Sequence, residues 1–161
     1  MKVFAICLLL TLSTTAVVAQ TDAQKSFDQL KSLSGSWEGK SSKGEPVRVS
    51  YRMTAGGSAL MSEINGHGED MISMIHFDGP NRLLLTHYCT AGNQPRMQAS
   101  GSTDGKTITF TFFDATNLGN PQAGHMDHVV IAMLDANHHT EEWTFSGGGK
   151  QMKEVFDLTR K

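Results

Sequence analysis

Thr107-Ile108-Thr109-Phe110-Thr111-Phe112 alternates a hydroxyl side chain with a large apolar one at every step. Successive side chains of an extended chain point to opposite faces, so this stretch is a strand with one wet and one dry face. Val47-Arg48-Val49-Ser50-Tyr51-Arg52-Met53 repeats the pattern with charged and hydroxyl residues on the wet side. Working outward from these two, further strands are predicted over 36–40, 58–64, 70–78, 82–90, 96–101, 125–134, 139–145 and 151–159. Turn signals separate them, among them Ala55-Gly56-Gly57, Asp78-Gly79-Pro80-Asn81, Asp104-Gly105 and Gly147-Gly148-Gly149.

No helix-length segment lies between these strands, which excludes parallel βαβ units. An open sheet of about ten strands would leave two bare edges and an uncovered apolar face. Closure into a barrel removes both problems. The fold class expected is therefore all-β, a single up-and-down antiparallel barrel of about ten strands, with a two-sheet sandwich as the alternative. One short N-terminal helix precedes it, because Phe27, Leu30 and Leu33 recur at three-residue spacing before Gly35 stops the run. The segment from Asp114 to Gly124 is the longest loop and the candidate lid or rim. Asn65-Gly66-His67-Gly68 reads as a turn with an exposed imidazole.

Residues 1–19 carry Lys2, an apolar run from Val3 to Leu12 and small residues at Val17 and Ala19. This is the pattern of a cleaved secretory signal peptide, too short in its apolar part to span a bilayer. The expected domains are thus a leader over 1–19 and a barrel over 20–161, secreted or periplasmic. Losing Lys2 from the 14 basic residues leaves 13 against 16 acidic ones, a charge of −3 that attracts no nucleic acid. Cys7 departs with the leader, so Cys89 has no partner for a disulfide and is expected as a small buried hydrophobe.

After the helix comes Leu33-Ser34-Gly35-Ser36-Trp37-Glu38-Gly39. This string resembles the opening of lipocalin-like (calycin) barrels, in which a Gly-x-Trp closes one end and a basic residue near the C-terminus covers the indole. Gly35, Trp37 and Arg160 stand at the matching places, and the resemblance implies a cation–π contact between the last two. The strand count and the Gly-Ser-Trp-Glu-Gly string are most similar to nitrobindin-type haem barrels. Those carry a proximal histidine shortly before the terminal arginine. Lys153-Glu154-Val155-Phe156-Asp157-Leu158-Thr159-Arg160 has none, so haem ligation is not carried over. Leu85-Thr86-His87-Tyr88-Cys89 and Gly92-Asn93-Gln94-Pro95-Arg96-Met97 are also similar to segments of uncharacterised exported bacterial proteins of this superfamily.

A polar residue on the dry parity must be satisfied or functional. His87 shares parity with Leu83 and Leu85. Glu141 and His139 share parity with Trp143 and Phe145, and Glu154 with Phe156 and Leu158. Aligning Phe145 with Met152 across the glycine turn sets Trp143 opposite Glu154 and Glu141 opposite Phe156. Pairing Leu134 with His139 turns His128 inward opposite Phe145. The candidate binding site is accordingly His87, His128, Glu141 and Glu154 beside Trp143.

Four functions fit such a site. The expected one is a barrel binding a small hydrophobic or amphipathic molecule against this polar patch. A metal centre would use His87, His128 and Glu141 as ligands. A hydrolytic enzyme would use Glu141 or Glu154 with His87, although Gly-x-Ser-x-Gly and phosphate loops are absent from the sequence. A structural barrel acting through a protein partner would have its interior filled by Phe110, Phe112, Trp143 and Phe156.

Overall fold

The structure, a computed structural model, describes residues 20–66, 68–101 and 105–161. The leader read over 1–19 and the turn histidine His67 lie outside the described residues. One helix, α1 (Asp22–Lys31), precedes ten strands: β1 (Gly35–Ser41), β2 (Pro46–Thr54), β3 (Ala59–Gly66), β4 (Glu69–Phe77) and β5 (Leu83–Tyr88), then β6 (Gln94–Gly101), β7 (Thr107–Thr116), β8 (His125–Asp135), β9 (His138–Gly147) and β10 (Lys150–Arg160). Each pairs antiparallel with its neighbours in sequence, and β1 pairs with β10 to close the barrel. The sheet has no bare edge, as the alternation requires.

The helix begins at Asp22, five residues before Phe27, the first residue of its apolar spacing. Thr21 caps it, accepting a hydrogen bond from the Gln24 backbone N–H. Its inner face, with Phe27 and Leu30, packs against β2, β5 and β6 and shuts one end of the barrel. Burying each of those side chains stabilises the fold by about 2 kcal/mol.

Trp37 completes this closed end. Its indole N–H donates to Leu33 O at 2.7 Å, and the Arg160 guanidinium lies 4.2 Å above the ring. Arg160 also donates to the carbonyls of Ser34 and Ser32, each at 2.8 Å, so it ties the last strand to the end of the helix. Gly35 is required beneath it. Its φ is +129°, and a Cβ there would stand 3.0 Å from the guanidinium. The contact implied by the calycin resemblance is thus present.

The β9–β10 register is the expected one, with Phe145 opposite Met152, Trp143 opposite Glu154 and Glu141 opposite Phe156. The β8–β9 register is not. Asp135 faces His138, but the ladder then shifts so that Met133 pairs with His139 and His128 with Thr144. Leu134 is the extra residue, bulged outward and half exposed. One inserted residue reverses the faces of the residues from Met133 back to the next shift, between Met126 and His128, and Val129 and Ile131 take the inner positions. His128 therefore points outward, with Nδ1 3.3 Å from the Thr111 hydroxyl. It leaves the candidate site.

Candidate functional site

Above the closed end the barrel interior carries a polar layer. Glu141 on β9 is wholly buried, and three side chains surround its carboxylate. The Tyr51 hydroxyl donates to Oε1 at 2.5 Å, and the Trp143 indole N–H donates to Oε2 at 2.9 Å. His139 Nε2 lies 3.1 Å from Oε1. That geometry calls for the ring proton on Nε2. Burial, and then the neighbouring carboxylate, hold the Tyr51 phenol well above its ordinary range, so it stays a donor. His139 in turn packs edge-on against Trp37, with ring centroids 4.2 Å apart, which joins the layer to the plug below.

His87 enters the same layer from β5. Its Nδ1 lies 2.9 Å from the Ser73 hydroxyl, and its ring stands 4.9 Å from that of Trp143. Burial holds the imidazole down at about 4 from its ordinary 6.5, against the charge of Glu141, which pulls the other way. Between these two values the unfolded chain binds a proton at this site that the native chain does not. The stability contributed is fully present above pH 6.5 and is lost as pH falls through 4. We expect His87→Phe to flatten a decline of about 3 kcal/mol over that window, measured by urea unfolding at several pH values.

Beyond Trp143 the barrel opens. A cavity of about 820 Å³ occupies the end opposite the helix. Its walls are Ile64, Met71, Met126, Phe145, Met152 and Phe156, and Trp143 is its floor. Phe156 and Trp143 were expected to fill a purely structural barrel. Instead the lower half is filled and the upper half is open. At the rim, Lys43 pairs with Glu154 at 2.8 Å, and Lys153 pairs with Glu142. Cys89 also lines the cavity and is half-buried, so it is a wall residue rather than the core hydrophobe expected.

The structure thus brings together Glu141, Trp143 and His87 as a stacked layer, places Glu154 at the cavity rim, and sends His128 outside. Arg96 pairs on the outer face with Asp114. The loop expected over 114–124 is shorter, because β7 continues to Thr116, and Asn93 holds its far end by donating to Gly124 O at 2.8 Å. Sequence reasoning missed Tyr51 and Ser73. Tyr51 was open to detection, since it sits on the dry parity with Val47 and Val49 and its hydroxyl needs a buried partner.

Two alternative chemistries fit the geometry poorly. With His128 outside, the three-ligand metal set does not assemble, and no group of three His, Cys, Asp or Glu side chains suited to a metal occurs among the described residues. A haem held in the nitrobindin manner would need a proximal histidine, and no histidine lines the cavity among the described residues or stands on β10.

No family model matches this chain, and no curated protein matches it. Among solved structures it is similar to the crystal structure of Rv2717c from M. tuberculosis, with a TM-score of 0.59 and 14% sequence identity. The alignment covers 89% of this chain and 99% of that one. At such identity the likeness is one of fold, and the chain is a closed ten-strand antiparallel β-barrel of the kind seen in Rv2717c.

Proposed function

We propose that this chain is an exported lipocalin-like barrel that holds a small hydrophobic or amphipathic molecule in its open end. The observation that carries the reading is the cavity of about 820 Å³, walled by aromatic rings and thioethers and floored by Trp143. Its size is in the range of small-molecule pockets, about 300–1,000 Å³, and apolar walls with a few polar groups are their usual chemistry. Methionine suits such a wall because its flexible, polarisable side chain adapts to the shape of its guest. The opposite end is sealed by α1, Trp37 and Arg160, so the ligand enters and leaves by one mouth. Export follows from the leader pattern of residues 1–19.

The test is a titration of the protein, freed of any retained guest by solvent extraction, with N-phenyl-1-naphthylamine, an uncharged apolar fluorophore that brightens out of water. One probe per chain is expected, with a blue-shifted emission. Met152 lies on the rim and is largely exposed, so Met152→Glu leaves folding intact while placing a charge against the guest. It is expected to weaken the probe by about tenfold, the equivalent of one lost apolar side-chain contact. No saturable binding by the unaltered protein would refute the reading.

A further inference from the structure

Beside the cavity floor a buried histidine nitrogen has no hydrogen-bond partner among the described residues, as is also true of His139 Nδ1 deeper in the polar layer. His87 lies on the inner face of β5 between Leu85, which is core, and Cys89, which lines the cavity. Its ring is fully buried, and Nδ1 is engaged by Ser73, but Nε2 has no hydrogen-bond partner among the described residues. Native proteins satisfy nearly all such atoms, so each exception calls for an explanation, of which a group from a bound molecule is one and an ordered water another. The Trp143 indole, its ring centre 4.9 Å from that of the imidazole, is itself part of the cavity lining.

We propose that His87 Nε2 anchors the polar end of the cavity's ligand, which reaches it past the Trp143 indole, and that the ligand is an uncharged apolar molecule bearing a hydroxyl or carbonyl oxygen. This rests on the cavity reading above. Three observations select an uncharged oxygen. The imidazole is held down at about 4 and is neutral near pH 7, so it offers no positive charge to a carboxylate. The nearest buried acid, Glu141, hydrogen-bonds the same indole and repels an anion entering beside it. At the rim, Lys43 and Lys153 are each paired with a glutamate, which offsets their charge. The Ser73 hydroxyl can donate to Nδ1 or accept from it, so Nε2 can present either an N–H or a lone pair. A ligand hydroxyl meets both states, and a carbonyl meets the first.

The experiment is calorimetric titration, at pH 7.5, of the purified protein freed of any retained guest by solvent extraction, with naphthalene, 2-naphthol and 2-naphthoate, three probes with one apolar body and different polar ends. The 15N resonances of the His87 ring are followed in parallel. We expect 2-naphthol to bind about tenfold tighter than naphthalene, as one buried hydrogen bond allows, and tighter than 2-naphthoate. Nε2 should shift with 2-naphthol and not with naphthalene. In His87→Leu the advantage of 2-naphthol over naphthalene should vanish. Should that variant fail to fold, the ring resonances of the unaltered protein decide alone. Equal affinity for naphthalene and 2-naphthol, tightest binding of 2-naphthoate, or an unmoved Nε2 overturns the anchor while leaving the cavity reading in place. Binding of none of the three overturns the cavity reading, and the anchor with it.

Discussion

Glu141→Ala is expected to destabilise the barrel by about 4 kcal/mol in urea or thermal unfolding, more than any other side-chain truncation in the polar layer. The lost carboxylate is only part of the effect. Its removal strands the Tyr51 hydroxyl, the Trp143 indole N–H and His139 Nε2 in a region that water does not reach. Each orphaned donor costs about 1–3 kcal/mol, and the vacated volume adds a cavity term. Glu141→Gln separates the two contributions. An amide keeps the volume and one acceptor oxygen but turns an NH₂ toward one of the donors, so a loss of about 2 kcal/mol is expected. A change below about 1 kcal/mol in the alanine variant would show that the layer is not a mutually satisfied network. The same change frees the Trp143 edge, so probe binding at the cavity floor should weaken along with stability.

Gly39→Ala is the second large effect, and it acts on the backbone. Gly39 lies opposite Leu158 where β1 meets β10, and a Cβ there would stand 1.7 Å from the Asp157 carbonyl oxygen. No rotamer relieves a contact between a Cβ and a backbone atom, so the two strands must separate. This ladder closes the barrel and carries the Trp37–Arg160 pair. We expect a loss of about 4 kcal/mol, beyond ordinary overpacking, together with weakened quenching of Trp37 as Arg160 is displaced. Gly44→Ala is the control. It sits in the adjoining turn with nothing near its Cβ position, and its φ of +83° makes the expected cost about 1 kcal/mol from backbone strain alone.

Ten strands, their order and the closed barrel were legible because period-two alternation with short turns leaves few other ways to cover an apolar face. The β9–β10 register was legible too, since Gly147-Gly148-Gly149 makes a tight turn and Phe145 and Met152 flank it. What failed was β8. Leu134 is an apolar residue that the fold bulges outward, and nothing in its chemistry announces this. A second shift, between Met126 and His128, brings Met126 into the cavity lining on the same strand. A bulge is decided by how neighbouring strands twist and pack, which is a property of the closed sheet rather than of the segment. Hence His128 was drawn inside, whereas Met126, beyond both shifts, keeps the inward face that the expected register gives it.

The polar layer was half legible for a related reason. Glu141, His87 and Trp143 break or mark the parity of their own strands, whereas Tyr51 counts as apolar by pattern and polar by its hydroxyl. Its partner Glu141 is ninety residues away, and only closure of the barrel brings them together. The open cavity was not legible at all. Phe110 and Trp143 read alike in sequence, yet one is core and the other is a floor with open space above it. Whether large side chains fill a barrel depends on its circumference and taper, which alternation does not encode.

The central claim is that the open end of this barrel is occupied by a small organic molecule. Comparing the native and denatured masses of the freshly purified protein tests it most directly. The account predicts a native excess of about a few hundred daltons, the mass of a guest that a pocket of this size encloses, lost on denaturation. Identical native and denatured masses would contradict it.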